Sequence, residues 1–324
     1  MAIDSLERSP RSALGLKNRL KPGDWLFTAV TGFTAIVVLA VVVGMFYELT
    51  DQAWPSIRAS GLSMIWDTTW DPSHQSFGVG AFIVGTLITS VFALIAATII
   101  AVLVALFLVE IAPGWIARPV SYLVELLAAI PSVVYGLWGI FVMGVFIRDQ
   151  FGPVVVRLFG WIPFFDGTPL ITGLLSACVI LTVMILPTVM AVSRDVIAAV
   201  PRSQREGILA LGATRWEMIR LAVLPYARSG VLGAAILGLA RAVGETLAVT
   251  LVIGNSVQVP DNIFAPAYTM ASVIANQFPE ATGLHRAALL EVALILLAIT
   301  FLINVVARLL VWRVTKGQRV VVQE

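Results

Sequence analysis

One arginine and one glutamate stand inside a long apolar run in the last third of the chain, within the segment LARAVGETLAVTLVIGN. Arg241 and Glu245 are four residues apart, so in a helix their side chains share a face and can form an ion pair. The planar guanidinium of Arg241 can equally donate hydrogen bonds to an oxyanion, while Glu245 holds or releases the arginine. The residues therefore allow two interpretations, a structural ion pair or the lining of an anion path.

The composition indicates that this run lies in a membrane. Of the 324 residues, 59% are hydrophobic and 12% are charged, against roughly 45–50% and ~25% in soluble domains. This balance excludes a soluble globule, a disordered chain and a coiled coil. The single cysteine, Cys178, excludes an internal disulfide scaffold, and His74 and His285 lack further ligands at metal spacing. We therefore expect an integral membrane protein without a metal site.

Six stretches are long and apolar enough to cross a bilayer as helices, which takes about 20 residues each. They are expected at residues 26–49, 79–109, 120–147, 170–192, 229–253 and 287–311. Pro131 is expected to kink the third span, and Gly136 and Gly139 to let a neighbouring helix approach it closely. The fifth span carries its own small residues for close packing, which are Gly230, Ala234, Gly238 and Gly244. The fold class predicted is therefore an all-α membrane protein with six transmembrane helices.

The positive charges are distributed unequally between the two sides. Six spans place both termini on one side, together with residues 110–119 and 193–228. That side holds sixteen of the 21 Lys and Arg residues, the opposite side holds four, and Arg241 lies within a span. Because Lys and Arg accumulate in cytoplasmic segments, both termini are predicted to be cytoplasmic.

The loop between the fourth and fifth spans, residues 201–230, carries two helix-start patterns. Ser203 followed by Glu206 has the spacing of a capping box, and Thr214 followed by Glu217 repeats it. Two short helices are therefore predicted at the cytoplasmic face of the membrane.

A glycine and a proline set the expected limits of those helices. Gly212 is placed to stop the first helix, and Pro225 to end the second. A bulky residue at position 212 is expected to block the bend between them.

The loop resembles the EAA loop of permeases from binding-protein-dependent ABC importers, because Glu206, Gly212, Leu224 and Pro225 hold that family's spacing. The departures from the family pattern are Gly207, Ile208 and Ala222. The resemblance implies that residues 203–224 form a coupling helix that enters a cleft of an ATPase subunit and receives its motion.

The chain contains no GxxxxGK[ST] sequence, so it has no phosphate cradle of its own for ATP. We expect it to bind no cofactor, to perform no covalent chemistry and to depend on a partner that hydrolyses ATP.

A narrower resemblance comes from three segments, IPSVVYGLWG, RAVGETLAVTLVIGN and NIFAPAYTMASVIANQF. Together they are similar to the PstC-type permeases of inorganic phosphate ABC importers, over about residues 25–313. This implies a type I ABC importer permease fold with an additional N-terminal helix, in the inner membrane of a prokaryotic cell. It also implies a role in transport for Arg241 and Glu245. The partners implied are a second, PstA-like permease, two copies of an ATP-binding subunit, an extracytoplasmic phosphate-binding protein and the lipid bilayer, without nucleic acid.

The domain organisation expected from both arguments has four parts. Residues 1–25 form a cytoplasmic tail, 26–75 the first helix and an outer segment, 76–313 the permease core with its coupling loop at 203–225, and 314–324 a second cytoplasmic tail.

Two other functions remain open from the sequence. One is a permease for another oxyanion, sulfate or molybdate, and the other is a stand-alone secondary transporter, although no inverted second copy of the spans is visible. Glu125 and Glu291, in the expected third and sixth spans, can be structural partners.

Overall fold

The computed structural model describes residues 22–316, with side chains over 25–313, and this part of the chain is almost entirely helical. Six helices in it are long and apolar enough to cross a membrane, as the sequence predicts. They are Trp25–Ile65, Gly80–Ile111, Ser132–Phe159, Leu174–Ala198, Arg215–Val243 and Gly283–Arg313. The expected terminal tails at residues 1–21 and 317–324 lie outside the described residues.

The α-helices are α1 Pro22–Ser60, α2 Gly80–Leu106, α3 Gly114–Ala128, α4 Ser132–Trp138, α5 Gly144–Phe146, α6 Gly152–Phe159, α7 Leu174–Ala198, α8 Arg202–Ala210, α9 Arg215–Met218, α10 Leu224–Val243, α11 Leu247–Val252, α12 Met270–Gln277 and α13 Gly283–Lys316. Four π-turns extend or join them, at Phe107–Ile111, Gly139–Met143, Ile147–Phe151 and Ile219–Val223. Two 3₁₀ turns lie at Gly61–Ile65 and Pro163–Phe165. Strands β1 Trp70–Asp71 and β2 Ser76–Phe77 form a small antiparallel hairpin in which Trp70 is paired with Phe77.

The chain divides into two compact units, one ending at Glu48 and one beginning at Leu49. In the first unit, the described residues form the apolar N-terminal part of α1. The second unit is the helical bundle that carries every candidate site residue.

Helix α7 is the centre of the bundle and packs mainly against α2 and α10. Small residues allow this close packing, as expected for helices that associate in lipid. On α2, every fourth residue is small and buried, and these residues are Ala81, Gly85, Thr89, Ala93, Ala97, Ala101 and Ala105. We call this series the α2 stripe.

The glycines of the fifth span behave as predicted at two positions. A Cβ atom on Gly230 or Gly238 would collide with a valine side chain of α7, Val196 or Val189. At Gly244 the nearest atom to an added Cβ is the Ala240 carbonyl oxygen of the same helix, so the expectation of a close approach there was wrong.

The third span differs from the prediction of one kinked helix over 120–147. Pro131 lies in an extended conformation, with φ −58° and ψ 139°, and separates α3 from the long helix that begins at Ser132. The ring and the missing N–H of proline break the helix here instead of bending it. The Tyr135 hydroxyl donates to the Leu127 carbonyl at 2.7 Å and so links the two sides of the break.

The fifth span also differs from its predicted range of 229–253. The observed helix extends from Arg215 to Val243 and passes through Pro225, where the second short helix was expected to end. A π-turn at Ile219–Val223 widens the helix immediately before the proline, which gives its ring room beside the preceding turn.

Candidate functional site

The fifth apolar run is broken between α10 and α11. Helix α10 ends at Val243, and after Gly244 and Glu245 the chain starts α11 at Leu247. A carboxylate oxygen of Glu245 accepts a hydrogen bond from the Ala248 N–H at 3.1 Å. The Thr246 hydroxyl donates to the Gly244 carbonyl at 3.2 Å. These side chains satisfy backbone groups that the break would leave free inside a membrane.

The break makes the expected pairing of Arg241 with Glu245 wrong. The two residues lie on opposite sides of a helix end, so the four-residue spacing does not place them on one helical face. Within residues 25–313, the ion pairs do not include Arg241 or Glu245. Glu245 instead accepts a hydrogen bond from the first turn of α11, and Arg241 is exposed on the surface of this chain.

The two helix breaks lie side by side. Helix α4, which follows the break at Pro131, packs closely on α11, since a Cβ on Gly136 would lie 3.1 Å from the Ala248 Cα. The predicted close packing at Gly136 and Gly139 is therefore confirmed. Arg241, in the last turn of α10, lies next to the second of these breaks. This arrangement places one exposed cation beside two interrupted helices.

The loop after α7 contains the first of the two short helices that the sequence predicts, α8. The second prediction was wrong in its end, because α9 is the first turn of the long helix Arg215–Val243. The capping box at Thr214 and Glu217 is confirmed, because the Glu217 N–H donates to Thr214 Oγ1 at 3.3 Å and the Thr214 N–H to Glu217 Oε2 at 2.8 Å. The box at Ser203 was wrong. Pro201, with φ −58° and ψ 140°, occupies the N-cap position of α8, so Ser203 lies inside the first helical turn.

Gly212 makes the bend between α8 and α9. Its φ of +84° is in the left-handed region that favours glycine. No atom lies within 4 Å of the position that a Cβ would occupy. The size of a replacement is therefore less important than expected, and the backbone conformation alone requires glycine.

The four predicted coupling residues lie in two different parts of the structure. Glu206 and Gly212 are exposed on the loop, beside the exposed side chains of Leu211 and Trp216. Leu224 and Pro225 form the start of α10, where Leu224 packs against the buried cluster at this end of the bundle. The loop therefore has a partly apolar surface, and the start of α10 fixes the loop to the bundle.

Among residues 25–313, two long-range ion pairs were not predicted from the sequence. Arg205 on α8 pairs with Glu110 at 2.9 Å, and Arg194 on α7 with Glu125 at 3.3 Å. Glu125 lies in α3, outside the spanning helix in which it was expected. Residues 95 positions apart leave no local sequence signal of such a contact.

Glu291 lies in the sixth span, as expected, and its side chain is buried. Its Oε2 atom has no hydrogen-bond partner within the described residues. In the same part of the chain, no three His, Cys, Asp or Glu side chains come together as a metal site.

Comparison with protein families identifies this architecture. The family model described as "Binding-protein-dependent transport system inner membrane component" matches residues 97–316. The chain belongs to this family. With its six apolar helices, this permease is a multi-pass membrane protein and a transport component.

Relatives match the permease along most of its length. It is 43% identical to the "Phosphate transport system permease protein PstC" of Pasteurella multocida, over 90% of this chain and 93% of the relative. It is 41% identical to the protein of that name from Haemophilus influenzae, over 90% and 95% of the two chains.

Solved structures share the fold at low identity. A bacterial alginate ABC transporter chain, from a complex with a periplasmic protein bound to alginate pentasaccharide, aligns with a TM-score of 0.60 and 15% identity over 91% of this chain and 96% of the other. A chain of the MetNI methionine ABC transporter, in an inward-facing conformation, aligns with a TM-score of 0.51 and 23% identity over 71% and 93%. The expected ABC importer permease fold is confirmed.

Proposed function

We propose that this chain is the permease subunit of an ATP-driven importer and forms half of the transmembrane path for inorganic phosphate. The observation that carries the proposal is the similarity to permeases named for phosphate transport, at 37–43% identity over about nine-tenths of the chain. Sulfate and molybdate permeases remain the alternative that an anion-competition experiment separates.

The proposed partners follow from the family and from the α8–α9 surface. The family is described as dependent on a binding protein, which supports docking of an extracytoplasmic phosphate-binding protein. A second, PstA-like permease would supply the other half of the path. Of the two ATP-binding subunits, one would dock on this chain at Glu206 and Gly212, where exposed apolar side chains suit a protein contact. The chain itself would bind no cofactor, and the ATP would be used by those subunits.

The proposed orientation places α8 and both termini in the cytoplasm. The unequal distribution of Lys and Arg supports it, as does the need of an ATPase for cytoplasmic ATP. In this organisation residues 76–313 are the permease core, 26–75 add one helix and an outer segment, and the terminal tails 1–25 and 314–324 are cytoplasmic.

In the proposed path, Arg241 is the residue that meets the anion. Its guanidinium is exposed on the chain surface, so its donors can reach an oxyanion in a space shared with the second permease. Glu245 does not pair with Arg241 in this path. Because its carboxylate caps α11, the charge of Arg241 is left uncompensated. An uncompensated arginine at membrane depth is costly, about 2.5–3.5 kcal/mol on insertion scales, and such residues usually mark substrate pathways.

The test is ATP-dependent phosphate uptake by the complete complex in proteoliposomes, normalised to assembled complex. We expect Arg241→Lys to lower uptake about tenfold or more, because lysine keeps the charge and loses the planar fork. Arg157→Lys, at another exposed arginine near the end of a spanning helix, is the matched control and should stay near the wild-type rate.

Three results would contradict the proposal. Normal uptake by Arg241→Lys would remove this residue from the path. Competition of excess sulfate or molybdate with phosphate would favour the alternative substrates. Uptake by this chain alone, driven by an ion gradient without ATP, would support a secondary transporter.

A further inference from the structure

Arg205 is the most highly bonded side chain of α8. Its Nε and Nη2 atoms donate to Glu110 Oε1 at 3.1 and 2.9 Å. The same guanidinium donates from Nη2 to the Ile197 carbonyl at 2.8 Å and from Nη1 to the Val200 carbonyl. Both charged side chains are largely buried, with 16% of Arg205 and 7% of Glu110 exposed.

The partners of Arg205 belong to the two helices at the centre of the bundle. Glu110 lies in the π-turn that ends α2, Ile197 lies in the last turn of α7, and Val200 follows that helix in the connection to α8. The last carbonyls of a helix have no partners within it, and a cation near them is favourable. One side chain on α8 therefore holds the ends of both α2 and α7.

The remainder of α8 is attached to the bundle at few places. Along Arg202–Ala210, every residue except Arg205 and Ile208 is exposed, and Ile208 packs against the buried cluster at this end. Glu206, the residue after Arg205, faces outwards. Helix α8 thus has an exposed face for docking, which includes Glu206. The preceding residue, Arg205, attaches the helix to the bundle.

We infer that Arg205 and Glu110 form the joint through which movement of α8 reaches α2 and α7, so that ATP hydrolysis drives uptake. The inference rests on the proposed function, in which α8 contacts the ATPase. A covalent connection leads from α8 to α7 through residues 199–201, but α2 is far away in sequence. The ion pair joins α8 to α2, and Arg205 is a positioning residue that touches no substrate.

The geometry also predicts which replacements weaken the joint. Glutamine at position 110 keeps an acceptor for Arg205 but loses the charge. Lysine at position 205 can pair with Glu110, yet its single ammonium group cannot also serve the Ile197 and Val200 carbonyls in the same fork geometry. Replacing both residues with apolar side chains removes both buried charges, which proteins often tolerate, although the Ile197 and Val200 carbonyls lose the donor that Arg205 supplies.

The experiment measures phosphate uptake and ATP hydrolysis in the same proteoliposomes, and the readout is phosphate transported per ATP hydrolysed by the assembled complex. For Glu110→Gln we expect this ratio to fall about fivefold while hydrolysis continues, and for Arg205→Lys a smaller fall. The double variant Glu110→Leu with Arg205→Met should assemble and still show the low ratio.

Glu125→Gln is the matched control. It breaks the other long-range ion pair, between α3 and α7, which does not involve α8 and has 53% of Glu125 exposed. We expect its ratio to stay within about twofold of wild type.

The outcomes separate the two proposals. A wild-type complex without ATP-dependent phosphate uptake would overturn the proposed function itself. Wild-type ratios in Arg205→Lys and in either Glu110 variant, with normal wild-type uptake, would overturn only the joint. A purely structural pair would lower the amount of complex in the single variants, and the double variant would then restore both assembly and the ratio.

Discussion

Two helices in this permease start in the same way but in different surroundings. At α9, Thr214 accepts a hydrogen bond from the N–H three residues later, at 3.3 Å, and at α11 Glu245 does the same at 3.1 Å. The first start lies in an exposed loop and is visible in the sequence. The second lies within an apolar run that reads as one continuous span. A helix cap can be recognised in the sequence where the residues around it are polar. It is hidden from such recognition where the residues on both sides are apolar.

The largest effect is expected from removing the hidden cap. Glu245→Ala removes the acceptor of the part-buried Ala248 N–H at the start of α11. An unsatisfied buried donor costs about 1–3 kcal/mol, so we expect thermal unfolding of the purified complex at a lower temperature. Glu245→Gln keeps an oxygen acceptor and should retain wild-type stability. Equal stability of the alanine and glutamine variants would show that the hydrogen bond does not hold α11.

The bend before α9 provides the next test. Gly212→Ala forces a Cβ into the left-handed region, at a cost of roughly 1–2 kcal/mol, and we expect fewer ATPase subunits to co-purify. Gly207→Ala is its control, because Gly207 lies within α8 with open space around it and alanine favours helix by about 1 kcal/mol. If both variants bind the ATPase normally, the bend is not needed for docking.

Removing the visible cap should have a smaller effect. Thr214→Ala deletes the acceptor at the start of α9, and the loss of an N-cap costs about 1 kcal/mol. We expect faster amide hydrogen exchange in Arg215–Met218, while Thr214→Ser should exchange as wild type. Because α9 continues directly into α10, transport should change little. A drop in the thermal unfolding temperature as large as that expected for Glu245→Ala would contradict the comparison.

The smallest effect concerns another exposed local contact, between Asp71 and His74 in the β1–β2 turn, at 2.6 Å. The hydrogen bond with the Asp71 carboxylate raises the pKa of His74 above its usual value, and the same contact lowers the pKa of Asp71. The contact therefore contributes below the unfolded pKa of His74 and is lost as pH rises through the raised one. It is also lost when pH falls through the lowered pKa of Asp71. In an NMR titration, Asp71→Asn should return the His74 pKa towards about 6.5; an unchanged value would contradict this.

The sequence predicted what depends on local pattern. Six apolar stretches, the Thr214 capping box, the Gly212 bend and the close packing at Gly136 and Gly139 all follow from residue type and spacing. The limits of the third and fifth spans did not, because apolar residues continue on both sides of Pro131 and of Gly244–Thr246. There, the requirement for backbone hydrogen bonds decides where a helix stops.

The candidate site was only partly predicted, because its geometry also depends on where the helices stop. Sequence placed Arg241 and Glu245 at membrane depth, but their pairing assumed an unbroken helix. The bonds of Arg205 depend on the ends of α2 and α7 meeting beside α8, which only tertiary packing determines. Whether Arg241 meets phosphate, and whether Glu206 and Gly212 meet an ATPase, stay predictions.

The α2 stripe bears on how the protein is made. Its main partner, α7, leaves the ribosome about 90 residues later, which at 5–20 residues per second is a delay of roughly 5–20 s. During this time the stripe faces lipid. Two hydroxyls near its start, on Thr86 and Thr89, donate to the Phe82 and Gly85 carbonyls of the same helix at 2.7 and 2.8 Å. Most of the other residues of the stripe are alanines. Helix α2 can therefore remain in the bilayer as a stable insertion intermediate until α7 is inserted.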